Sequence, residues 1–181
     1  YQLDQFVLRG NNLVMFLDSH SVFMPQGNQF GGSQEPVYIP RNTGVEELIR
    51  HYGLELDTAY ILDEKSFLQR QRTAQGGVAE VEVYFAPIVG QAERNTSLPI
   101  FVNIPDMVVL NMSPVRPVEG MESEAGVTRL FSSSPDGWMM RDDGINLSNP
   151  YFLTPPPDED QESIPMAYML ERSFKSYFAG K

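Results

Sequence analysis

The spacing of apolar residues changes within the first eighteen positions of the chain. Leu3, Phe6 and Val7 recur at the interval of an α-helix. Gly10 stands where a left-handed residue often closes such a helix. Residues 13–17 are apolar throughout and too few for a helix, which is typical of a strand buried on both faces. A helix, a glycine and a buried strand together predict an α/β sheet.

A second helix and a second strand are predicted between residues 43 and 62. Thr43 and Glu46 have the spacing of a capping box, and apolar residues follow at helical intervals until a glycine ends the pattern. Residues 54–62 then indicate a strand, with a turn or bulge at Asp57. Together with the strand at 13–17 they would form a right-handed, parallel βαβ unit.

The remainder of the chain has the pattern of a β-rich segment. Residues 64–75 are polar and allow a helical turn or two, whereas the residues after Val78 alternate between apolar and acidic positions, as in a half-exposed strand. Further short strands are predicted at 99–104, 107–112, 127–132 and 166–170. We therefore expect one domain over residues 1–181 with a three-layer α/β fold. Its largely parallel, flavodoxin-like sheet would be truncated at the N-terminus and extended by mixed or antiparallel strands.

Composition narrows the possible partners. The chain has 24 acidic and 13 basic residues, a net charge of -11, which argues against nucleic acid and anionic membranes as partners. It has no cysteine, which excludes disulfides, thiolate catalysis and thiolate metal sites. Its apolar runs fall far short of the roughly 20 residues that span a bilayer, so we expect no direct membrane insertion by this segment. Because the first helix begins in mid-course at Tyr1, we expect a fragment of a longer, membrane-anchored protein.

The sequence contains no complete catalytic motif, and we expect no catalytic residue, cofactor or metal site. No serine lies in a G-x-S-x-G elbow, and no phosphate-binding G-x-x-x-x-G-K-[ST] loop is present. His20 follows the predicted strand at 13–17, close to Asp18, at the sheet edge where α/β proteins bind ligands. An ordinary loop histidine is the alternative. The long polar segment 19–41 is the best candidate for recognition, with a disordered excursion as its alternative.

A serine-rich turn near residue 134 supplies the remaining candidates. Trp138 follows this turn and either lines a binding surface or caps the edge of the core. The candidate ligand-binding residues are Asp18, His20, Ser132, Ser133, Ser134 and Trp138.

Four stretches also match, in order, the motifs of one known family. They are Leu3-Asp4-Gln5-Phe6-Val7-Leu8-Arg9-Gly10 with a strand ending in Asp18, Val45 to Gly53 with Ile61-Leu62-Asp63-Glu64, Leu130-Phe131-Ser132-Ser133-Ser134-Pro135 with Trp138, and Ala167 to Phe178, which ends in Ser176-Tyr177-Phe178. In these stretches the chain resembles the auxiliary components of gliding-motility-type ABC transporters. It departs from the family pattern at Asn11 and Asn12, which stand where the family has a second glycine after Gly10. It also departs at Arg172, which stands where the closing segment of the family has a glycine.

The resemblance implies a soluble domain on the extracytoplasmic (periplasmic) face of the inner membrane, anchored by segments outside this chain. It implies ABC permease and ATPase subunits as partners, and a fold related to intraflagellar-transport and glutamine-amidotransferase-like α/β proteins. Amidotransferase chemistry needs a nucleophilic cysteine, which the chain lacks. We therefore expect a non-catalytic role in substrate capture or protein–protein contacts at the membrane.

Two alternatives remain open, namely a small-molecule (for example sugar) binding domain acting on its own and a hydrolase. A binding domain predicts an apolar pocket near Asp18, His20 and residues 132–134. A hydrolase predicts a strongly perturbed titratable group in the same cleft. A protein-contact module predicts an exposed apolar patch near Trp138 or near the segment that starts at Ser19.

Overall fold

The computed structural model describes residues 1–24, 36–72, 76–122, 124–141, 145, 147 and 153–180. Two α-helices lie in these residues, α1 (Gln2–Leu8) and α2 (Val45–Tyr52). The strands are β1 (His20–Phe23), β2 (Val37–Pro40), β3 (Leu54–Leu56), β4 (Tyr60–Asp63), β5 (Ser66–Arg72), β6 (Val78–Val89), β7 (Met107–Val108), β8 (Val115–Pro117), β9 (Val127–Ser132), β10 (Gly137–Met140) and β11 (Pro165–Leu170). Neither helix of the described chain has the length and apolar character to cross a membrane.

The strands form small antiparallel sheets, so the predicted three-layer, largely parallel, flavodoxin-like α/β fold is wrong. The pairs are β1–β2, β3–β8, β4–β10 and β9–β11, together with the three-stranded sheet β5–β6–β7. A parallel sheet needs helices over both of its faces. The two α-helices among the described residues, of seven and eight residues, are too short to cover such a sheet.

The error began with residues 13–17, which do not form a strand. They follow α1 and the left-handed Gly10, both as predicted, but they run over the surface. Val14 is 77% exposed and Phe16 is 96% exposed. A continuous apolar run indicates a segment that can be buried, but it carries no information about which element covers it. Without a strand here, the βαβ unit cannot form.

The second helix forms as predicted, with a variation at its start. The Glu46 carboxylate accepts hydrogen bonds from the Thr43 backbone N–H at 3.0 Å and from the Thr43 hydroxyl at 3.0 Å. This is one half of a capping box. The Thr43 hydroxyl oxygen accepts from the Val45 N–H at 3.3 Å, and Gly44 occupies the cap position with φ 79°. At the other end Gly53 has φ 105° and terminates the helix, as expected for a left-handed C-terminal residue.

The strand predictions hold best where long-range pairing agrees with the local pattern. Residues 54–62 divide into β3 and β4 at Asp57, whose N–H donates to the Pro114 carbonyl at 2.9 Å. Strands β9 and β11 lie close to their predicted bounds. Residues 99–104 contain a single 3-10 turn, Pro99–Phe101, in place of a strand.

The helical turn that the polar residues 64–75 would allow does not form in the described part of this stretch. Residues 66–72 form β5 and pair with β6, while 73–75 lie outside the described residues. Arg70 contacts Glu80 across this pair at 3.0 Å. A polar sequence becomes a strand here because the pairing partner supplies the backbone hydrogen bonds.

Strand β4 is fully buried and separates two apolar clusters. Tyr60 and Leu62 pack with Trp138 in one cluster, together with Ile145 and Leu147. Ile61 points the other way, into a cluster with Val89, Ile164 and Met166. Alternate residues of a strand face opposite sides, so this one strand contributes to both clusters.

Asp4 joins the two ends of the described chain. Its carboxylate is fully buried and accepts hydrogen bonds from the Tyr52 hydroxyl at 2.8 Å, the Ser176 hydroxyl at 2.8 Å and the Tyr177 backbone N–H at 2.9 Å. Burial by itself raises the pKa of Asp4. The hydrogen bonds, together with one from Gln5, outweigh burial and lower the pKa to about 2. Helix α1, helix α2 and the C-terminal segment are thus connected through one carboxylate.

We predict that Asp4 contributes stability that is present above pH 4 and lost on acidification. The pKa of Asp4 is about 3.8 in the unfolded chain and about 2 in the folded chain, so folding is favoured where the carboxylate is ionised. In urea unfolding, Asp4→Asn should be less stable than the parent at pH 6, and the difference should shrink between pH 4 and pH 2. Asp158→Asn, at an exposed aspartate, is the matched control. A difference that stays constant down to pH 2 would contradict the assignment.

Candidate functional site

The six candidate residues do not converge on one cleft, because they lie along β4. Asp18 and His20 lie beside the first residue of this strand, and the three serines lie beside its last residue, Asp63. A four-residue strand separates its ends by about 10 Å. Trp138 lies opposite Leu62 on β10, between the two groups.

The first group surrounds His20, which is only 2% exposed. The Ser19 hydroxyl lies 2.8 Å from His20 Nδ1 and 3.3 Å from the Ala59 carbonyl oxygen. The Ser113 hydroxyl donates to the Ser19 hydroxyl oxygen at 2.6 Å. The imidazole stacks on the Tyr60 ring at a centroid separation of 4.7 Å.

Asp18 forms hydrogen bonds with the backbone of His20 and with the side chain of Tyr60. Its carboxylate accepts from the His20 backbone N–H at 3.0 Å and from the Tyr60 hydroxyl at 3.3 Å. Among the described residues, no carboxylate hydrogen-bonds to the imidazole ring, although a hydrolytic triad needs that contact to orient its base. Ser19 and His20 are both buried, so the chain of hydroxyls and imidazole can relay a proton internally but presents no nucleophile to solvent.

Burial sets the charge state of this group. Burial lowers the pKa of His20, and the nearby Asp18 carboxylate raises it by a smaller amount. Burial also raises the pKa of Tyr60, and Asp18 adds to that rise. At neutral pH the group therefore holds a neutral imidazole against a neutral phenol.

The second group is built around the buried carboxylate of Asp63. Ser134 donates to it twice, from its hydroxyl at 2.6 Å and from its backbone N–H at 2.7 Å, and the Lys65 N–H donates at 2.8 Å. Burial raises the pKa of Asp63 and the nearby Asp136 adds to the rise, while the three hydrogen bonds oppose it. Three donors directed at one carboxylate leave it little capacity for a ligand.

The other two serines are also engaged within the protein. The Ser133 hydroxyl donates to the Ser134 carbonyl at 2.9 Å and accepts from the Ile164 N–H at 2.7 Å. The Ser132 hydroxyl oxygen accepts from the Ser163 hydroxyl at 3.0 Å. Only glycine fits at position 137 in this turn, because a Cβ there would lie 2.4 Å from the Ser133 hydroxyl oxygen. These two hydroxyls join β9 to the segment before β11, while Ser134 contacts the end of β4.

Trp138 is a core residue by position. It packs with Tyr60 and Leu62 in the first apolar cluster, and its ring contacts Tyr84 in a T-shaped arrangement at 5.3 Å. This position corresponds to the alternative given above, a cap over the core. In the part of the chain that the structure describes, no three histidine, aspartate or glutamate side chains gather as metal ligands.

Sequence reasoning missed the residues that complete both groups. Ser19 and Ser113 are 94 positions apart, and no local pattern connects them. Asp63 appeared in the sequence only within the family-matching stretch Ile61-Leu62-Asp63-Glu64, just after the predicted strand, and was given no role. The recognition segment 19–41 contains β1 and β2, while residues 25–35 lie outside the described chain. A ligand-binding role for the six candidates stays a prediction.

Comparisons with known proteins give one match. A family model described as an ABC-type uncharacterized transport system, with a name that denotes an auxiliary component, matches residues 1–181. No curated protein and no solved structure matches the chain.

We predict that Ser134 acts as a structural residue. Ser134→Ala removes a hydrogen bond to a buried carboxylate and should lower the free energy of unfolding by about 1.5–3 kcal/mol. Urea unfolding measures this change. Ser21→Ala, at an exposed serine of β1, is the control and should stay within about 0.5 kcal/mol of the parent. Parental stability of the Ser134 variant would refute the structural role.

Proposed function

The chain belongs to the ABC-type uncharacterized transport system family, as an auxiliary component, and we propose that it works without catalysis, through protein–protein contact with the permease. We further propose that this contact occurs at the extracytoplasmic face of the inner membrane, as the resemblance to gliding-motility-type systems implies. On that face the ATPase subunit would be reached only through the permease. Capture of a transported substrate would then be a task of the whole assembly.

The observation that carries the proposal is the exposed apolar segment 13–17. Val14 and Phe16 are 77% and 96% exposed, whereas Leu13 and Leu17 are half-buried. The middle of the segment, including Met15, is therefore open to solvent, while its two ends lie against the protein. An exposed apolar segment of this kind marks an interaction site more often than a chance surface.

The backbone of this segment supports a protein partner over a lipid one. Residues 13–17 make no backbone hydrogen bond with any described residue. A partner that presents the edge of a sheet can satisfy these groups by adding a strand, while its side chains cover Val14 and Phe16. Lipid tails offer no donors or acceptors, and the net charge of -11 opposes an anionic surface.

The polar candidate residues also favour a protein-contact role, because their hydrogen-bonding groups already have partners within the fold or are buried. The hydroxyls of residues 132–134 and the carboxylate of Asp63 have partners within the fold, and Ser19 and His20 are buried. An active site or a sugar site needs polar groups that remain available to a ligand. The exposed surface is the better candidate for function.

We predict that Val14→Ser combined with Phe16→Ser weakens binding to the purified permease–ATPase complex of the same transport system in detergent. Burial of each large apolar side chain contributes about 1.5–3 kcal/mol, so loss of both should raise the dissociation constant roughly 100-fold or more. Biolayer interferometry with the immobilised chain measures this change. Because both side chains are exposed, the melting temperature should stay close to that of the parent.

A matched double variant tests whether the position of the lost apolar surface matters. Val78→Ser combined with Ile100→Ser removes side chains that are 68% and 65% exposed elsewhere on the chain. This variant should bind like the parent. Equal weakening by both double variants, or no binding by the parent chain, would overturn the proposal.

A further inference from the structure

We propose that His20 is a pH-operated latch that holds the β1–β2 hairpin on the body of the fold and releases it on acidification. The hairpin consists of β1 and β2, paired in register from His20 opposite Pro40 to Phe23 opposite Val37. Of its eight strand residues, His20 is the one that is buried. The residue that anchors the hairpin is thus a histidine, the side chain that changes charge nearest to neutral pH.

The hairpin depends on this anchor because little else holds it. Its two strands form a sheet of their own, which is marginally stable in water without further packing. Phe23, Val37 and Ile39 on its outer face are about half exposed. The inner face contacts the body through His20 and Tyr38, which both pack against the Tyr60 ring.

Hydrogen bonds reinforce the same end of the hairpin. Ser19 contacts the Ala59 carbonyl and the Ser113 hydroxyl, and Asp18 accepts from the Tyr60 hydroxyl. The Arg41 N–H donates to the Ser19 carbonyl at 2.8 Å and closes the base of the hairpin. These contacts lie at the same end of the hairpin as the imidazole. A positive charge on the ring would therefore destabilise the end at which the hairpin is attached.

The groups that face the imidazole decide the direction of the effect. Asp18 is the carboxylate beside it and favours the charged ring. Tyr60 and Tyr38 are neutral phenols with raised pKa values, and Ser19 and Ser113 are neutral hydroxyls. Burial of the ring outweighs the Asp18 carboxylate, so the pKa of His20 is lower in the attached hairpin than in a released one.

The sign of the pH dependence follows from this difference. A released histidine has a pKa of about 6.5. The attached state binds fewer protons, so attachment is favoured above pH 6.5 and weakens as the pH falls through the lower pKa of the attached state. Between pH 6.5 and that lower pKa, one proton taken up on release makes the opening equilibrium up to about tenfold more favourable per pH unit, and below it both states are protonated and the dependence ends. Residues 13–17 lead directly into β1, so release would also loosen the exposed apolar segment. The latch does not depend on the proposed permease contact.

Hydrogen exchange measured by mass spectrometry tests the latch. Protection factors, corrected for the intrinsic exchange rate at each pH, should fall for residues 20–23 and 37–40 between pH 7.5 and pH 5, by up to about 30-fold, the limit that uptake of one proton below pH 6.5 sets. Those of β4 should remain high. A uniform fall that includes β4 would indicate global unfolding and would overturn the proposal, as would a hairpin whose protection does not change.

Three variants assign the effect to the imidazole. The chain has two histidines, and His51→Gln, at the exposed one, should keep the parental pH response. His20→Gln cannot gain a charge, so its hairpin protection should be independent of pH at whatever level it starts. Asp18→Asn removes the one opposing carboxylate and should move the release to higher pH. A parental response in His20→Gln, or an unshifted midpoint in Asp18→Asn, would refute the latch.

Discussion

The fold depends on a strand that is shielded from water on both faces. Strand β4 is fully buried, and its alternate side chains enter two apolar clusters, to which strands β6 and β10 also contribute. Antiparallel proteins usually leave one face of a sheet in water. Here Ile145 and Leu147 pack on one side of the strand, and Val89, Ile164 and Met166 pack on the other. The polar groups at the two ends of β4 must therefore be satisfied within the protein, because water does not reach them.

Two buried aspartates show how differently one side chain can be accommodated. Asp4 collects four hydrogen bonds near the surface helix α1, and its pKa falls. Asp63 collects three, but it lies at the end of β4 between the apolar clusters, and burial raises its pKa. The first ties the chain ends together in its ionised form. The second organises the serine-rich turn through Ser134, at some electrostatic cost.

A ligand-binding protein is expected to keep polar groups available to its ligand and apolar groups buried. The described residues of this chain show the opposite arrangement. The three serines, which were candidate ligand groups, are occupied by Asp63, by Ser163 and by the backbone. Phe16, which looked like core, is almost fully exposed. Such a surface suits the protein–protein contact proposed for this auxiliary component of a transport system. The hairpin beside it is attached to the body through His20 and Tyr38, which both pack on Tyr60.

Local interactions were readable from the sequence alone. Helix α1 and its left-handed Gly10, helix α2 with Glu46 reaching back to Thr43, the end at Gly53 and the strands β9 and β11 all follow from spacing, capping and backbone freedom. The family was also readable, because its motifs lie in order along the chain and the family model matches residues 1–181. Each of these features depends on residues close together in sequence.

Only the tertiary structure decided strand direction, exposure and the composition of the site. The apolar pattern of residues 13–17 is the same whether a neighbour covers them or not, so it could not reveal that Phe16 faces water. Ser19 and Ser113 meet across 94 positions, and Asp4 meets Ser176 across 172. Such pairs leave no local periodicity, because their hydrogen bonds form only after distant segments have packed. For that reason the sequence predicted the elements and the family, while the antiparallel arrangement and the separation of the candidate site along β4 required the folded chain.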